Sequence, residues 1–382
     1  MKGTEITSDD SGIVQSTRQT PYACSSATEL SGGLANSTYR GRLSQPLEDG
    51  TDSVIIKHGE ERCAKLPEVE LSTTRCRTEQ ALLKTVQHTP VAQVNHNGVA
   101  VQCPWVYHYV PQDNTQIVQD YPHESTLHQW LTTQSQSHHG NENNKNVSVL
   151  GEAVAIWLAR FHSWSRDGIE GHVELADIVK SNTESLGKDL AVAKMRKFEQ
   201  QCENDKVLRY AREILFPAPS GSDIMIHGDF STRNILLRDC SSETTAAAEN
   251  TNAPSPGYCL AIIDWEISCY ASFTRDVANI LSDLYMQIHF TEPEEAKATS
   301  RSQFFLNGFI SAYPRLSEEV YKTVAQVGEN FFYAHAYAPP GHTKDQVEEL
   351  VRFGERLIVM GCKGDRASVE GTFLGCLLDA CW

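Results

Sequence analysis

The segment His227-Gly228-Asp229-Phe230-Ser231-Thr232-Arg233-Asn234-Ile235-Leu236-Leu237, followed by Ile262-Ile263-Asp264-Trp265-Glu266, constrains this chain more than any other part of it. Its polar groups alternate with short β-branched runs, so that 224–226, 235–237 and 259–263 read as strands. Asp229 and Asn234 then share one polar loop between two apolar strands, and loops held by a rigid scaffold are where functional groups concentrate. Asp264 and Glu266 follow the next strand directly. Residues i and i+2 of a strand share a face, so both carboxylates could address one hard cation. Asp229, Asn234, Asp264 and Glu266 form an oxygen-donor set suited to Mg²⁺ with bound phosphates, because Mg²⁺ takes few protein ligands and fills the rest with water and phosphate oxygens.

The first third supplies strands and tight turns. Ser53-Val54-Ile55-Ile56-Lys57 is a β-branched run after a polar turn, and 99–102 and 105–110 read as further strands divided by Pro104. The spacing over 75–86 predicts a helix that buries Ala81, Leu82 and Val86. From Leu150 the period changes: Leu150, Val154, Trp157, Leu158 and Phe161 line one helical face. Further helices are expected at about 188–215, 275–288, 316–334 and 344–359. The expected architecture is α+β: a small sheet-rich lobe over 23–121, then a larger helical lobe over 122–382 that holds a short β-ribbon. Residues 1–22 read as a flexible tail, and the low-complexity stretches 134–146 and 240–257 as surface loop insertions.

Charge narrows the partners. With 33 Lys and Arg against 49 Asp and Glu the net charge is −16, which repels a phosphate backbone and an anionic membrane surface alike. No nucleic acid or membrane partner is expected. Eleven cysteines carry no CxxC spacing, and the polar start of the sequence carries no secretory pattern. The expectation is reduced thiols in a cytoplasmic protein.

HGDFSTRN followed by IIDWE resembles the aminoglycoside phosphotransferase and choline kinase-like superfamily of small-molecule kinases. LSGGLANSTYR, SVIIKH and RCRTEQALL, in that order, extend the resemblance over about residues 24–290. The combination is most similar to the 4-hydroxytryptamine kinases, and more distantly to the methylthioribose kinases. The resemblance implies a two-lobed protein-kinase-like fold and transfer of the γ-phosphate of ATP, with Mg²⁺, to a hydroxyl of a small-molecule acceptor, by a monomer or homodimer. It implies Asp229 as the group that accepts the hydroxyl proton, and Asp264 and Asn234 as metal ligands. Lys57 would contact the phosphates and be fixed by Glu79. A turn containing Ser31, Gly32, Gly33 and Asn36 would close over the phosphates, since glycines let backbone N–H groups approach them. Adenine would bind near Gln119, Asp120 and Tyr121, through backbone groups more than side chains.

Several residues stay open at this level. Glu266 reads as metal ligand, substrate contact or solvated acid. His227 and His162 read as packing and hydrogen-bonding residues. Asp276 either bonds the backbone of the 227–234 loop or caps a helix. Arg233, where the family usually has a small residue, is expected to face solvent. Asp283 and Glu266 could make an anionic pocket for an amine-bearing alcohol. Three rivals are a nucleotide-binding regulatory protein without turnover, a protein kinase and a plain scaffold protein that binds no nucleotide. The second lacks support: no HRD-type Arg precedes Asp229, and no DFG or APE follows.

Overall fold

A computed structural model of the protein describes residues 5–7, 12–30, 33, 35–65, 69–122, 124–133, 140–167, 171–217, 222–240, 257–291, 297–314, 316, 319–334, 338–339 and 341–379. Its strands are β1 (Glu5–Thr7), β2 (Cys24–Glu29), β3 (Ser37–Leu43), β4 (Ser53–His58), β5 (Gln93–His96), β6 (Val99–Gln102), β7 (Val106–Val110), β8 (Thr115–Gln119), β9 (Ser125–Thr126), β10 (Ile224–Ile226), β11 (Ile235–Asp239), β12 (Tyr258–Ile262) and β13 (Cys269–Ala271). Helices α1 (Gly12–Thr17), α2 (Thr74–Val86), α3 (Leu127–Thr132) and α4 (Gly140–Asp167) come first. After them come α5 (Val173–Asn182), α6 (Lys188–Gln201), α7 (Asp205–Leu215), α8 (Thr274–Thr291), α9 (Arg301–Ala312), α10 (Val320–Phe331) and α11 (Lys344–Lys363).

The first sheet is antiparallel in the order β1-β2-β3-β4-β8-β7. Helix α2 carries a buried face of Cys76, Leu82, Leu83 and Val86. The second sheet has the order β5-β6-β12-β11-β9, with β12 parallel to β6. So the ribbon expected inside the helical lobe is the centre of a five-stranded sheet. Its outer hairpin, β5–β6, comes from within the segment assigned to the first lobe, and a sequence cut at residue 121 divides the sheet. The period-2 pattern marks a strand but cannot say which sheet it joins.

Three other expectations change. Within 1–22 the described residues, 5–7 and 12–22, hold structure: β1 pairs with β2, and α1 buries Val14 and Thr17. Helix α4 begins at Gly140, inside the stretch read as a loop; polar residues form helix where the amphipathic run after Leu150 extends back through them. The 240–257 expectation lies outside the described residues except at its ends. The single helix expected over 188–215 is two, broken at Cys202 and restarted by Asn204, whose side chain accepts from the N–H groups of Lys206 and Val207.

The core beneath the two strand ends is aromatic. Trp157 stacks on Phe161 and on Phe230 at 5.6 and 6.0 Å between centroids, and Trp265 meets Phe161 edge-on at 5.1 Å. Both indole N–H groups donate to carbonyls, Trp157 to Val91 and Trp265 to Ile262, so burial leaves neither unsatisfied. Helix α4 reaches α9 at backbone distance because Gly151 and Gly308 lie at the crossing. A Cβ on either would fall 2.2 or 2.0 Å from the carbonyl oxygen of Phe305 or Ser148. This core fixes Phe230 and Trp265, each one residue from the carboxylates of the 227–237 and 262–266 segments.

Candidate active site

A cavity of about 920 Å³ runs between the first sheet and the helices. Lys57 enters it from β4, Glu79 from α2, and Asp229, Asn234 and Asp264 from the second sheet's loops. Lys57 Nζ donates to both oxygens of Glu79 at 2.7 and 2.8 Å and to Asp264 Oδ1 at 2.8 Å. Glu79 also accepts from Gln116 Nε2 and from the Trp265 N–H. Burial disfavours the charged ammonium, but Asp264 and Glu79 outweigh it and push Lys57 above its ordinary value. Burial likewise pushes the Asp264 carboxyl up, yet the Lys57 charge and hydrogen bond bring it below the usual range.

The loop before Asn234 is held from beneath. Gly228 has φ +87°, a left-handed turn that aims Asp229 into the cavity. Asp276, fully buried on α8, accepts from the N–H groups of His227 and Gly228, both at 2.9 Å, and lies 3.1 Å from His162 Nε2. Asn279 Nδ2 donates to the Gly228 carbonyl. Of the two sequence readings of Asp276, the loop contact is the one present. His227 Nε2 lies 3.0 Å from the Ile263 carbonyl, tying the two motif segments together as an orienting residue would. Asp229 Oδ2 accepts from Asn234 Nδ2 at 2.8 Å. Burial, and then the Asp264 charge, raises the Asp229 carboxyl, against the pull of His227.

The Asn234 amide nitrogen is committed to Asp229, which leaves its oxygen as the atom able to meet a cation. Asp264 is half-buried at the cavity wall. Among the described residues no group of three His, Cys, Asp or Glu side chains forms a ready-made metal cage. Two protein oxygens beside an open cavity suit a small hard cation that brings its own water and phosphate ligands.

Four expectations about site residues need correction. Glu266 is turned away from the cavity: it is 5% exposed, accepts from Asn36 Nδ2 at 2.6 Å and lies 3.3 Å from Arg75 Nε. The reason is local. Strand β12 ends at Ile262 and Asp264 has φ +68°, so strand alternation does not reach Glu266, which sits in the 3₁₀ turn Trp265–Ile267. Asn36 is buried in that same cluster, its Oδ1 accepting from Arg75 Nη2, and does not line the cavity; Gly33 does. Ser31 and Gly32 lie outside the described residues. Asp283 is no free anion. It is 3% exposed, accepts from the Thr232 N–H and hydroxyl and from Gln287, and pairs with Arg233. Arg233, half-buried at the cavity wall, is therefore an ion-pair partner and not only a solvent-facing residue.

Gln119, Asp120 and Tyr121 all line the cavity where the chain crosses from the first sheet to the helices. The Asp120 carboxylate is occupied by Arg40, at 2.7 and 3.0 Å, and by Ser53. That leaves backbone groups and the Gln119 and Tyr121 side chains to face a ligand.

Sequence reasoning missed the cavity's far wall. Glu329, fully buried on α10, holds Lys194 at 2.8 Å and Arg275 at 3.1 Å. Asn330 Nδ2 bridges Asn279 Oδ1 and Ser282 Oγ at 3.0 Å each. Lys194, Asn279, Ser282 and Asn330 line the cavity, and they come from three helices. Only the amphipathic period of each helix was available, and it marks inward faces without pairing them.

The model of the phosphotransferase enzyme family, APH, matches residues 27–316. The chain belongs to that family. It is a small-molecule kinase, built as an antiparallel sheet followed by a mainly helical part. Phosphotransferase FrzJ from Cladobotryum sp. is 28% identical over 381 residues, covering 93% of this chain and 92% of that protein. The 4-hydroxytryptamine kinase of Psilocybe cubensis is 22% identical over 297 residues, covering 77% and 75%. Among solved structures, a fructosamine-3-kinase-like protein from Thermobifida fusca is 12% identical with TM-score 0.47, covering 92% of this chain and 99% of that one. No described helix of this APH member is long and apolar enough to cross a membrane.

Proposed function

We propose that this APH-family kinase transfers the γ-phosphate of ATP to a small-molecule hydroxyl, with Mg²⁺ bound beside Asp264 and Asn234. The observation that carries the reading is the convergence of Lys57, Glu79, Asp229, Asn234 and Asp264 on one cavity. Phosphoryl transfer depends on positioning and charge neutralisation more than on covalent chemistry. Lys57, held by Glu79, meets the nucleotide's phosphates. Asp229 takes the proton of the acceptor hydroxyl, and its raised carboxyl makes it a better base than a solvated aspartate. Asn234 fixes which way that carboxylate points. When bound, the metal neutralises charge on the phosphate oxygens. Adenine lies against the Gln119–Tyr121 crossing, and Gly33 belongs to the turn above the phosphates.

The acceptor enters from the wall built by Lys194, Asn279, Ser282 and Asn330. 4-Hydroxytryptamine, in the name of the Psilocybe cubensis relative, is an amine that bears a ring hydroxyl. An acceptor of that class needs its cation met elsewhere than at Asp283, which Arg233 already neutralises.

The test uses purified protein with Mg·ATP and reads ADP release over amino alcohols, indole alcohols, sugars and aminoglycosides. Asp229→Asn should abolish transfer to any acceptor found, yet keep the ATP-induced rise in melting temperature. Asp264→Ala should lose that rise when Mg²⁺ is present. Full turnover in both variants would reject the assignment, and ATP binding with no turnover across the panel would favour a regulatory nucleotide-binding protein.

A further inference from the structure

The outer ends of β11 and β12 carry a feature that phosphoryl transfer does not use. The register pairs Arg238 with Cys259 and Asp239 with Tyr258, and the Cys240 N–H donates to the Gly257 carbonyl. Cys240 is therefore one diagonal step from Cys259 across an antiparallel pair. Residues so related project from the same face of the sheet. Their sulfurs are 3.2 Å apart. A disulfide needs about 2 Å, so a shift of about 1 Å, shared between two side chains at a strand end, brings them to bonding distance.

We propose that Cys240 and Cys259 are a modification site: a thiol pair that a low-molecular-weight disulfide converts to an intramolecular disulfide clasping β11 to β12. One thiol, as thiolate, opens the oxidant's S–S bond and forms a mixed disulfide, releasing the first small thiol. The second attacks the protein sulfur of that mixed disulfide and releases the other. In sum, two protein thiols lose two protons and two electrons, the oxidant's S–S bond breaks, and each of its sulfurs leaves as a thiol. The Arg238 Nε donates to Cys240 Sγ at 3.5 Å, placing a positive group beside the sulfur that attacks first as thiolate. Burial, and then the Cys240 neighbour, pushes the Cys259 thiol up to about 12, so the second attack quickens as pH rises. Strand β11 starts beside Asn234 and β12 ends just before Asp264. The clasp would close the far end of the strand pair that carries both residues.

The experiment needs neither nucleotide nor acceptor, so its outcome is independent of the proposed reaction. The full chain is incubated with oxidised glutathione, blocked with an alkylating agent and digested without reductant. The expected product is a peptide pair joined through Cys240 and Cys259, two hydrogens lighter than the reduced pair and separated by dithiothreitol. The oxidised protein should melt about 2–4 °C higher than the reduced one, and Cys259→Ser should lose this difference and keep glutathione on Cys240. Exposed Cys376 serves as the internal control for oxidant activity. The proposal is overturned if Cys376 carries glutathione while Cys240 and Cys259 stay alkylatable, take separate glutathiones, or join other cysteines.

Discussion

Lys57 and Asp264 are ion-paired at 2.8 Å, and the same ammonium holds both oxygens of Glu79. One cation from the first sheet thus serves two carboxylates from two other elements. Lys57→Met should lower kcat/KM by about 10²–10³, the scale of losing one preorganised charge in a closed site. It should also destabilise the fold by about 3–5 kcal/mol, because Glu79 is 2% exposed and would be left without its cation. Lys57→Arg should recover stability more than activity, since a planar fork does not reproduce a point charge. Steady-state kinetics and urea unfolding read the two effects separately. Wild-type stability in Lys57→Met would show that the pair is not holding the elements together.

Glu266 gives a prediction of the opposite kind. It is buried with Asn36 and Arg75, and Asn182 donates to its main-chain carbonyl. Glu266→Gln should leave the Mg²⁺ concentration needed for half-maximal activity within about twofold of wild type. It should still destabilise the protein by about 1–3 kcal/mol, the cost of disturbing a buried charge-assisted hydrogen bond. A metal titration of activity decides the matter. A tenfold or larger rise in the Mg²⁺ requirement, without loss of stability, would return Glu266 to the metal site.

The contrast between Glu266 and Asp264 shows what was legible in the sequence. Motif order gave the family and the set Lys57, Glu79, Asp229, Asn234 and Asp264, because each sits beside an apolar run whose period is readable. The fates of Glu266, Asn36 and Asp283 were not legible. Each depends on one partner far away in the chain, Arg75 for the first two and Arg233 for the third. Local spacing also assumed that the strand ran on past Ile262, and the left-handed Asp264 ends it. The far wall of the cavity was hidden for a related reason: Lys194, Arg275 and Glu329 are brought together only by the packing of α6, α8 and α10.

Asp276 should make stability depend on acid. Burial pushes its carboxyl up, but the bond and charge of His162, with His227, bring the net value below 3.8. A carboxyl whose folded value is lowered contributes stability that is fully present above its unfolded value. That contribution is lost as pH falls through the folded one. Wild-type unfolding free energy should therefore drop as pH falls below about 4. Asp276→Asn should cost about 2–4 kcal/mol at neutral pH and flatten that acid dependence, since the titrating group is gone. Urea unfolding from pH 3 to 7 tests both parts. An equal acid slope in the variant would assign the dependence to other carboxylates.

Gly228 sets the direction of Asp229, and its requirement can be separated into two parts. Its φ is +87°, and a Cβ there would fall 2.4 Å from the Ile267 carbonyl oxygen. Gly98 has a similar φ of +78° but open space around the missing Cβ. Gly98→Ala should therefore cost only the left-handed penalty of about 1–2 kcal/mol and leave turnover intact. Gly228→Ala should cost about 2–4 kcal/mol, since the clash with backbone is added to the same penalty. Relieving that clash must move the 227–229 loop against Ile267, so kcat should fall at least tenfold even where the protein is fully folded. Comparing the two variants by unfolding and by kcat isolates the close approach from the conformation. Equal costs would mean that the loop relaxes freely and that Gly228 is needed for its φ alone.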